Sequence, residues 1–276
     1  MIRKGYRKVF FYTAMSLIGI LIIVPFVWMI STSFKTREAL RTIPIRWIPE
    51  RPTFDAYIKI FTMSNFSFGN KVFNSFFLSI AQTFVSVMSA AMAAFVFAKI
   101  SFRGRGKLFA LFLATMMIPG TVTMVPNYMI LKYLGLLDTF SGLIIPSVIN
   151  AFGIFMLRQN MMSVNDAYIE AAVMDGSSLL RAFWKIMLPM VKPTMYTLVL
   201  FSFMGSWNSY LWPLIVLTSR EKQTLQIWLG SMSTQFGSYE HYQMAGALIS
   251  TIPIIVVYIF TQKYVEKGLD MGGLKL

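Results

Sequence analysis

Few side chains in this sequence could carry out chemistry, and their types narrow it at once. The 276 residues hold 11 acidic groups, a single histidine at His241 and no cysteine. Without Cys there is neither a disulfide nor a thiolate metal site, and one His builds neither a histidine metal cluster nor a multi-histidine relay. The acidic residues with a pattern around them are Glu170 and Asp175, inside Tyr168 to Pro189, a polar insert between two long apolar runs. The chemistry on offer there is docking.

Two short helices position those carboxylates. Asn165 is placed to cap a helix that Gly176 ends in a left-handed turn, and Ser177 to cap a second that stops at Leu188-Pro189. On the first, Ile169, Ala172 and Val173 fall at i, i+3, i+4. On the second, Leu180, Phe183, Trp184 and Met187 fall at i, i+3, i+4, i+7. Each helix therefore has one apolar face, and Glu170 and Asp175 lie off it.

The stretch closely resembles the EAA loop of ABC-transporter permeases, a Glu-Ala-Ala followed three residues on by Gly preceded by Asp, then a hydrophobic helix ending in Leu-Pro. Glu170, Ala171, Ala172, Asp175, Gly176, Leu188 and Pro189 occupy the matching positions. The resemblance implies a type I importer permease whose loop sits in a cleft of an ATPase subunit, with Glu170 paired to a basic group, and moves as a rigid body when the ATPase dimer closes.

Composition agrees with a membrane setting. At 56% hydrophobic, mean hydropathy +0.62 and 13% charged, the chain is too apolar for a soluble domain of its length and is expected to be an integral membrane protein. The net charge of +14 does not point to nucleic acid, because the basic residues flank apolar runs instead of forming one patch. Those runs, near 9–31, 72–98, 108–131, 139–157, 194–218 and 244–262, predict an all-α protein with six transmembrane helices, each near the roughly 20 residues a bilayer needs. The first run is too long for a signal-peptide core and lacks a small-residue cleavage site. Three regions follow: 1–71 with the tail, first span and outer loop; 72–264 as the permease core, its coupling loop at about 158–193; and a cytoplasmic tail at 265–276.

Fifteen of the 25 Lys and Arg fall in segments that are inside if the N-terminus is cytoplasmic. Seven of the other ten lie in the long first outer loop, so the shorter loops set the orientation, with 15 against three. Both termini and the Glu170 loop are then cytoplasmic. The loop at 32–71, rich in Pro and aromatics, is expected to be ordered against the membrane face.

None of the six runs contains Asp, Glu, Lys, Arg or His, which disfavours a proton-driven carrier, since such carriers keep ionisable groups in the membrane. Sodium coupling through carbonyls and hydroxyls stays open. No Gly-x-x-x-x-Gly-Lys-Ser/Thr loop is present to hold ATP phosphates, so an ATP-driven reading needs a separate ATPase chain. No cofactor is expected on this chain; ATP and Mg belong to that partner.

The polar groups left in the spans are neutral: Gln82, Asn127, Tyr128, Asn150, Asn208 and Tyr210, with Trp207 and Trp212 nearby. Amides that bind hydroxyls and rings that cover apolar sugar faces suit an uncharged polyhydroxylated solute. Asn127, Tyr128, Asn150, Trp207, Asn208 and Tyr210 are thus pathway candidates, while helix–helix hydrogen bonds and an interfacial aromatic belt are the competing reading. Pro119-Gly120 with Pro126 either opens a span to free carbonyls or only kinks it. The small-residue run Ser86 to Ala94 favours close helix approach.

Trp207 to Leu214, Pro25 to Met29 and Ser33-Phe34-Lys35 look like the sugar-importer branch typified by maltose-transporter permeases. That branch implies a second six-span permease, most simply a different chain, two cytoplasmic ATPase subunits and an external solute-binding protein in a bacterial or archaeal cytoplasmic membrane. An ion-coupled carrier and a non-transporting membrane scaffold are the alternatives. The loop from Thr218 to Gln243 either meets the binding protein or anchors at the lipid interface through Trp228 and Phe236. His241 is expected to be a solvated loop residue, and Asn65-Phe66-Ser67 matches a glycosylation sequon relevant only to a eukaryotic secretory pathway.

Overall fold

A computed structural model describes residues 2–62, 67–235 and 240–271. Its helices begin with α1 (Ile2–Ser33), α2 (Asp55–Thr62), α3 (Phe68–Lys99), α4 (Arg105–Thr115), α5 (Met124–Tyr133), α6 (Phe140–Ile144) and α7 (Ala151–Ser163). They continue as α8 (Ala167–Met174), α9 (Leu179–Ala182), α10 (Leu188–Met190), α11 (Lys192–Trp207), α12 (Leu211–Val216), α13 (Leu225–Gln235) and α14 (Glu240–Met271). Among the described residues there is no strand. A helix pairs its own backbone, as a lipid-exposed segment must when each unpaired group costs several kcal/mol. The chain forms two compact units, Met1–Gly69 with Trp228–Ile252 and Asn70–Ile227 with Pro253–Leu276.

In the first unit α1 runs unbroken through Pro25, and no residue of its apolar stretch 10–30 is buried, burial beginning only at Ser31, Thr32 and Ser33. A helical stretch apolar on every side and buried on none is made for lipid or a neighbouring membrane helix. The aromatic loop after it packs on the end of α1. Trp47 packs edge-on to Trp28 at 5.2 Å, and Lys35 lies 4.2 Å over the Trp28 ring while donating to the Arg46 carbonyl at 2.6 Å. Tyr57 on α2 donates to Ser33 Oγ at 2.8 Å, closing the loop onto the end of α1. His241 is buried, only 3% exposed, and its Nδ1 has no hydrogen-bond partner among the described residues; it opens α14 and packs on Tyr242 at 4.0 Å. The expectation of a solvated loop histidine is therefore corrected: the last helix starts earlier than hydropathy alone indicated and carries His241 inward. Phe236 and Ser238, like Asn65 and Phe66 of the sequon and the end of the tail at 272–276, lie outside the described residues.

The second unit is organised on α3, whose Ala90, Ala91 and Ala94 are fully buried. Small residues there let α7 approach, and Gly153 of α7 sits so close that an added Cβ would lie 2.9 Å from Leu198 and 3.1 Å from Ala90. Phe95, Phe97, Leu157, Met161 and Phe183 extend this core, with Arg158 over the Phe109 ring at 4.0 Å. A second cluster joins Leu78, Leu131, Leu143, Val216 and Leu217.

Four segments are long and apolar enough to cross a membrane: Phe10–Ser33, Phe68–Lys99, Phe140–Ser163 and Glu240–Lys263. Leu179–Met190 and Lys192–Trp207, bent by 83° at the break between them, make a fifth when the pair is counted as one span. The run near 108–131 is split into α4 and α5, with turns through Pro119-Gly120 and Pro126 in the first turn of α5. The six-span plan is consistent with this arrangement, its third member being a broken helix.

Candidate functional site

The Glu170 loop has the geometry its sequence implied, with two differences. Asn165 Oδ1 accepts from the Ala167 N–H at 3.0 Å, opening α8. At the other end Gly176 takes φ +81°, the Gly176 N–H donates to the Val173 carbonyl at 3.0 Å and the Ser177 N–H to Ala172 at 2.9 Å. These paired bonds around a left-handed residue close a helix C-terminus. Ser177 is thereby engaged in the first helix, and the cap of α9 falls to Ser178, whose Oγ accepts from the Arg181 N–H at 3.3 Å. Nor does the second helix stop at Leu188-Pro189. It passes through a π-turn at Phe183–Met187 into α10, and the break comes at Val191, with Pro193 in the first turn of α11.

The π-turn shifts which residues face inward. Ile169, Ala182, Phe183, Met187 and Leu188 are buried, and Phe183 meets Phe95 at 5.3 Å. Leu180 and Trp184, assigned to the same apolar face by periodicity, are 63% and 49% exposed, beside exposed Met174 and Leu179. Glu170, Ala171, Asp175, Gly176 and Pro189 are exposed and Ala172 is half-buried. The base of the loop is pinned by Lys99, buried at the end of α3, which donates to the Val164 carbonyl at 2.6 Å and pairs with the Asp166 carboxylate. The loop thus offers two carboxylates beside an unsatisfied apolar surface from a fixed base.

Within the same unit lies a cleft of about 480 Å³ lined by Gln82, Ser86, Asn150, Ser202, Ser206 and Ser209, with Met116 and Phe152 among its apolar walls. Gln82 Nε2 donates to the Leu143 carbonyl at 2.6 Å, and its Oε1 accepts from the Ser206 hydroxyl. Asn150 Nδ2 donates to Ser86 Oγ at 2.8 Å, and its Oδ1 accepts from the Gly153 N–H at 2.8 Å, capping α7. The buried Ser202 hydroxyl has no partner among the described residues. No ionisable side chain lines the cleft.

Of the six pathway candidates, Asn150 alone lines this cleft. Trp207 is 1% exposed, stacked on Phe203 at 5.9 Å and edge-on to Phe76 at 6.3 Å. Asn208 and Tyr210 are exposed at the break between α11 and α12, and on α5 Asn127 is exposed and Tyr128 half-buried. Sequence reasoning passed over Ser202, Ser206 and Ser209. Their near-helical spacing was the available signal.

Residues 60–271 match the family described as binding-protein-dependent transport system inner membrane component. The arabinooligosaccharides transport system permease protein AraQ of Halalkalibacterium halodurans is 32% identical over 263 residues, covering 94% of this chain and 93% of that protein. The inner membrane ABC transporter permease protein YcjP of Escherichia coli is 30% identical over 276 residues, covering 99% and 98%. A chain of a bacterial ABC transporter involved in the import of the acidic polysaccharide alginate superposes with a TM-score of 0.82 at 28% identity, over 94% of this chain and 97% of that one. With a permease fold, a separate helical loop and a family match over most of its length, this chain belongs to the binding-protein-dependent transport system inner membrane components, and is a transport subunit and not an enzyme.

Proposed function

We propose that this chain forms half of the translocation pathway of a carbohydrate importer and is driven by ATP hydrolysis on a separate subunit docked at the Glu170 loop. The observation that carries the reading is the cleft between α3, α7 and α11, whose polar lining is hydroxyl and amide throughout. Such groups exchange hydrogen bonds with sugar hydroxyls without the desolvation cost of a charge, and Met116 and Phe152 offer apolar faces. The arabinooligosaccharide permease among the relatives supports an oligosaccharide. The alginate importer handles an acidic one, and nothing basic lines the cleft here to receive it.

The docking half of the proposal rests on the exposed Glu170, Asp175 and Leu180 of the loop. Both termini and this loop are assigned to the cytoplasmic side by the charge distribution. A second six-span permease would complete the pathway, two ATPase subunits would hold ATP and Mg, and an external solute-binding protein would deliver the sugar.

The test is a double substitution, Ser202→Leu with Ser206→Leu, that fills the cleft in the assembled and reconstituted transporter. Uptake is expected to fall by about tenfold or more, the discrimination a filled pocket gives, while ATP hydrolysis stimulated by the binding protein persists. Full uptake by the variant would remove the cleft from the pathway. Uptake without any ATPase chain would favour an ion-coupled carrier instead.

A further inference from the structure

The 83° bend at Val191 produces a second concavity, which shares no lining residue with the cleft. It is a groove of about 290 Å³ whose walls include Trp184, Leu188 and Pro189 from the loop and Lys192, Met195 and Tyr196 from α11. Its size is near the lower end of small-ligand pockets, roughly 300–1,000 Å³. The lining divides by chemistry. Met195 with Val199 continues along α11, the segment read as span five, while Lys192 stands exposed at the bend with Trp184 and Tyr196, which are 49% and 36% exposed.

Charge distinguishes this groove from an ordinary apolar gap. From Gly176 to Ser219 the sequence has no Asp or Glu, yet it carries Arg181, Lys185 and Lys192. Lys192 forms no ion pair with any described residue. A cation at the start of a span, flanked by an indole and a phenol, above an apolar channel along the same helix, is complementary to a molecule with an anionic head and a hydrocarbon tail. Basic pockets at the cytoplasmic side of membrane helices hold anionic lipid headgroups for this reason, and interfacial Trp and Tyr sit at headgroup level.

The geometry points to a seat for one anionic phospholipid in the elbow between the coupling loop and α11, its phosphate on Lys192 and an acyl chain along Met195 and Val199. The lipid would brace the bend that connects the docking surface to the span. This rests on the cytoplasmic placement of the loop in the proposed function, because only then is the elbow at the membrane surface.

The probe is phosphatidylglycerol brominated on its acyl chains, titrated into nanodiscs of phosphatidylcholine that hold the full chain, with Trp fluorescence as the readout. The chain has six Trp, so the Trp184 share is the difference between the parent and Trp184→Phe. That share is expected to be quenched at a low fraction of the brominated anionic lipid, and Lys192→Gln to raise the half-saturating fraction about fivefold, the effect of one lysine at an anionic surface. Equal quenching by brominated phosphatidylcholine, or an unchanged titration in Lys192→Gln, would overturn the seat and leave annular lipid only. Loss of the quenching once the second permease is assembled would overturn it as well, giving the groove to a subunit interface. No ATPase or sugar enters the measurement, so its failure is separable from failure of the transport reading. A bilayer-impermeant thiol reagent on Met174→Cys checks the sidedness independently.

Discussion

Two connections within the second unit make opposite use of their polar groups. Between α5 and α6, Asp138 receives the N–H groups of Thr218 and Ser219 at 3.0 and 2.9 Å, the Ser219 hydroxyl and the Lys222 ammonium at 3.2 Å. On α3, Lys71, Asn74 and Ser75 hold the following backbone, with Asn74 Nδ2 donating to the Glu221 carbonyl at 2.7 Å and the Leu225 N–H donating to Ser75 Oγ at 2.7 Å. The Glu170 loop is the reverse: its own caps are satisfied, it is tied at the base through Lys99, and Glu170 and Asp175 are left outward. A connection that spends its carboxylate on the backbone of a neighbouring connection stays with the span ends the two join. One that keeps its carboxylates outward is available to a partner.

The largest effect should come from breaking the available side. Replacing Glu170 by Lys, or Gly176 by Val, is expected to leave the complex assembled or nearly so while abolishing sugar uptake driven by ATP. The first change reverses a docking charge. The second forces a β-branched residue to φ +81°, a penalty of roughly 1–2 kcal/mol that re-aims α8 relative to α9. Both are read as the ratio of sugar transported to ATP hydrolysed. Normal ratios in both variants would end the argument that this loop transmits.

The internally bonded side should break in stability before function. Asp138→Ala removes an acceptor for two backbone N–H groups and is expected to cost about 2 kcal/mol, seen as a lowered thermal transition in detergent. Asp138→Asn should cost less, because an amide oxygen still accepts and Asn tolerates the left-handed φ of +56°. Equal losses would mean that charge, and not shape, holds the connection.

The same carboxyl sharpens the comparison by pH. Donation from the Ser219 hydroxyl and backbone N–H holds it well below its ordinary value of 3.8. A carboxylate depressed on folding stabilises fully above its unfolded value and loses that contribution as pH falls through the folded one. The gap in thermal stability between the parent and Asp138→Asn should therefore be level from about pH 8 to pH 5 and begin to close only below about pH 4. A gap that closes near neutral pH would assign the stabilisation to another group.

These two connections also show what the sequence made legible. The docking loop is written in local rules: a capping Asn165, a left-handed Gly176, carboxylates off an apolar face. The helical break at Pro119-Gly120 is local as well, whereas the one at Val191 falls past the Leu188-Pro189 stop that the sequence suggested. What escaped depends on which side of an apolar helix meets protein, and hydropathy is silent on that because lipid and protein interior are equally apolar. Ser202 and Ser206 resemble filler until α3 brings Gln82 beside Ser206, 124 residues away in the chain. Trp207, Asn208 and Tyr210 stood out by type, yet Trp207 belongs to a ring stack with Phe203. His241 was misread because a helix start buried it, and the one-residue shift of the second cap to Ser178 came from the first helix taking Ser177.

The smallest expected effect concerns the tie at the base of the Glu170 loop, where the two members of one ion pair are unequally placed. The Lys99 side chain is 3% exposed and the Asp166 side chain 70%. Removing the lysine with Lys99→Met leaves a carboxylate that water already solvates, and it frees the Val164 carbonyl at a loop end. Removing the carboxylate with Asp166→Ala leaves a buried ammonium with one carbonyl acceptor, and an uncompensated buried charge is the costlier defect. Asp166→Ala is therefore expected to lower stability by about 1 kcal/mol and Lys99→Met by less, since an exposed partner limits the worth of the pair. The double variant should recover most of the loss of Asp166→Ala, because the charge that needed the pair is gone. Thermal unfolding of the three variants decides it: Lys99→Met as the more damaging single change would mean that the Val164 bond, and not the ion pair, fixes the base from which the docking surface projects.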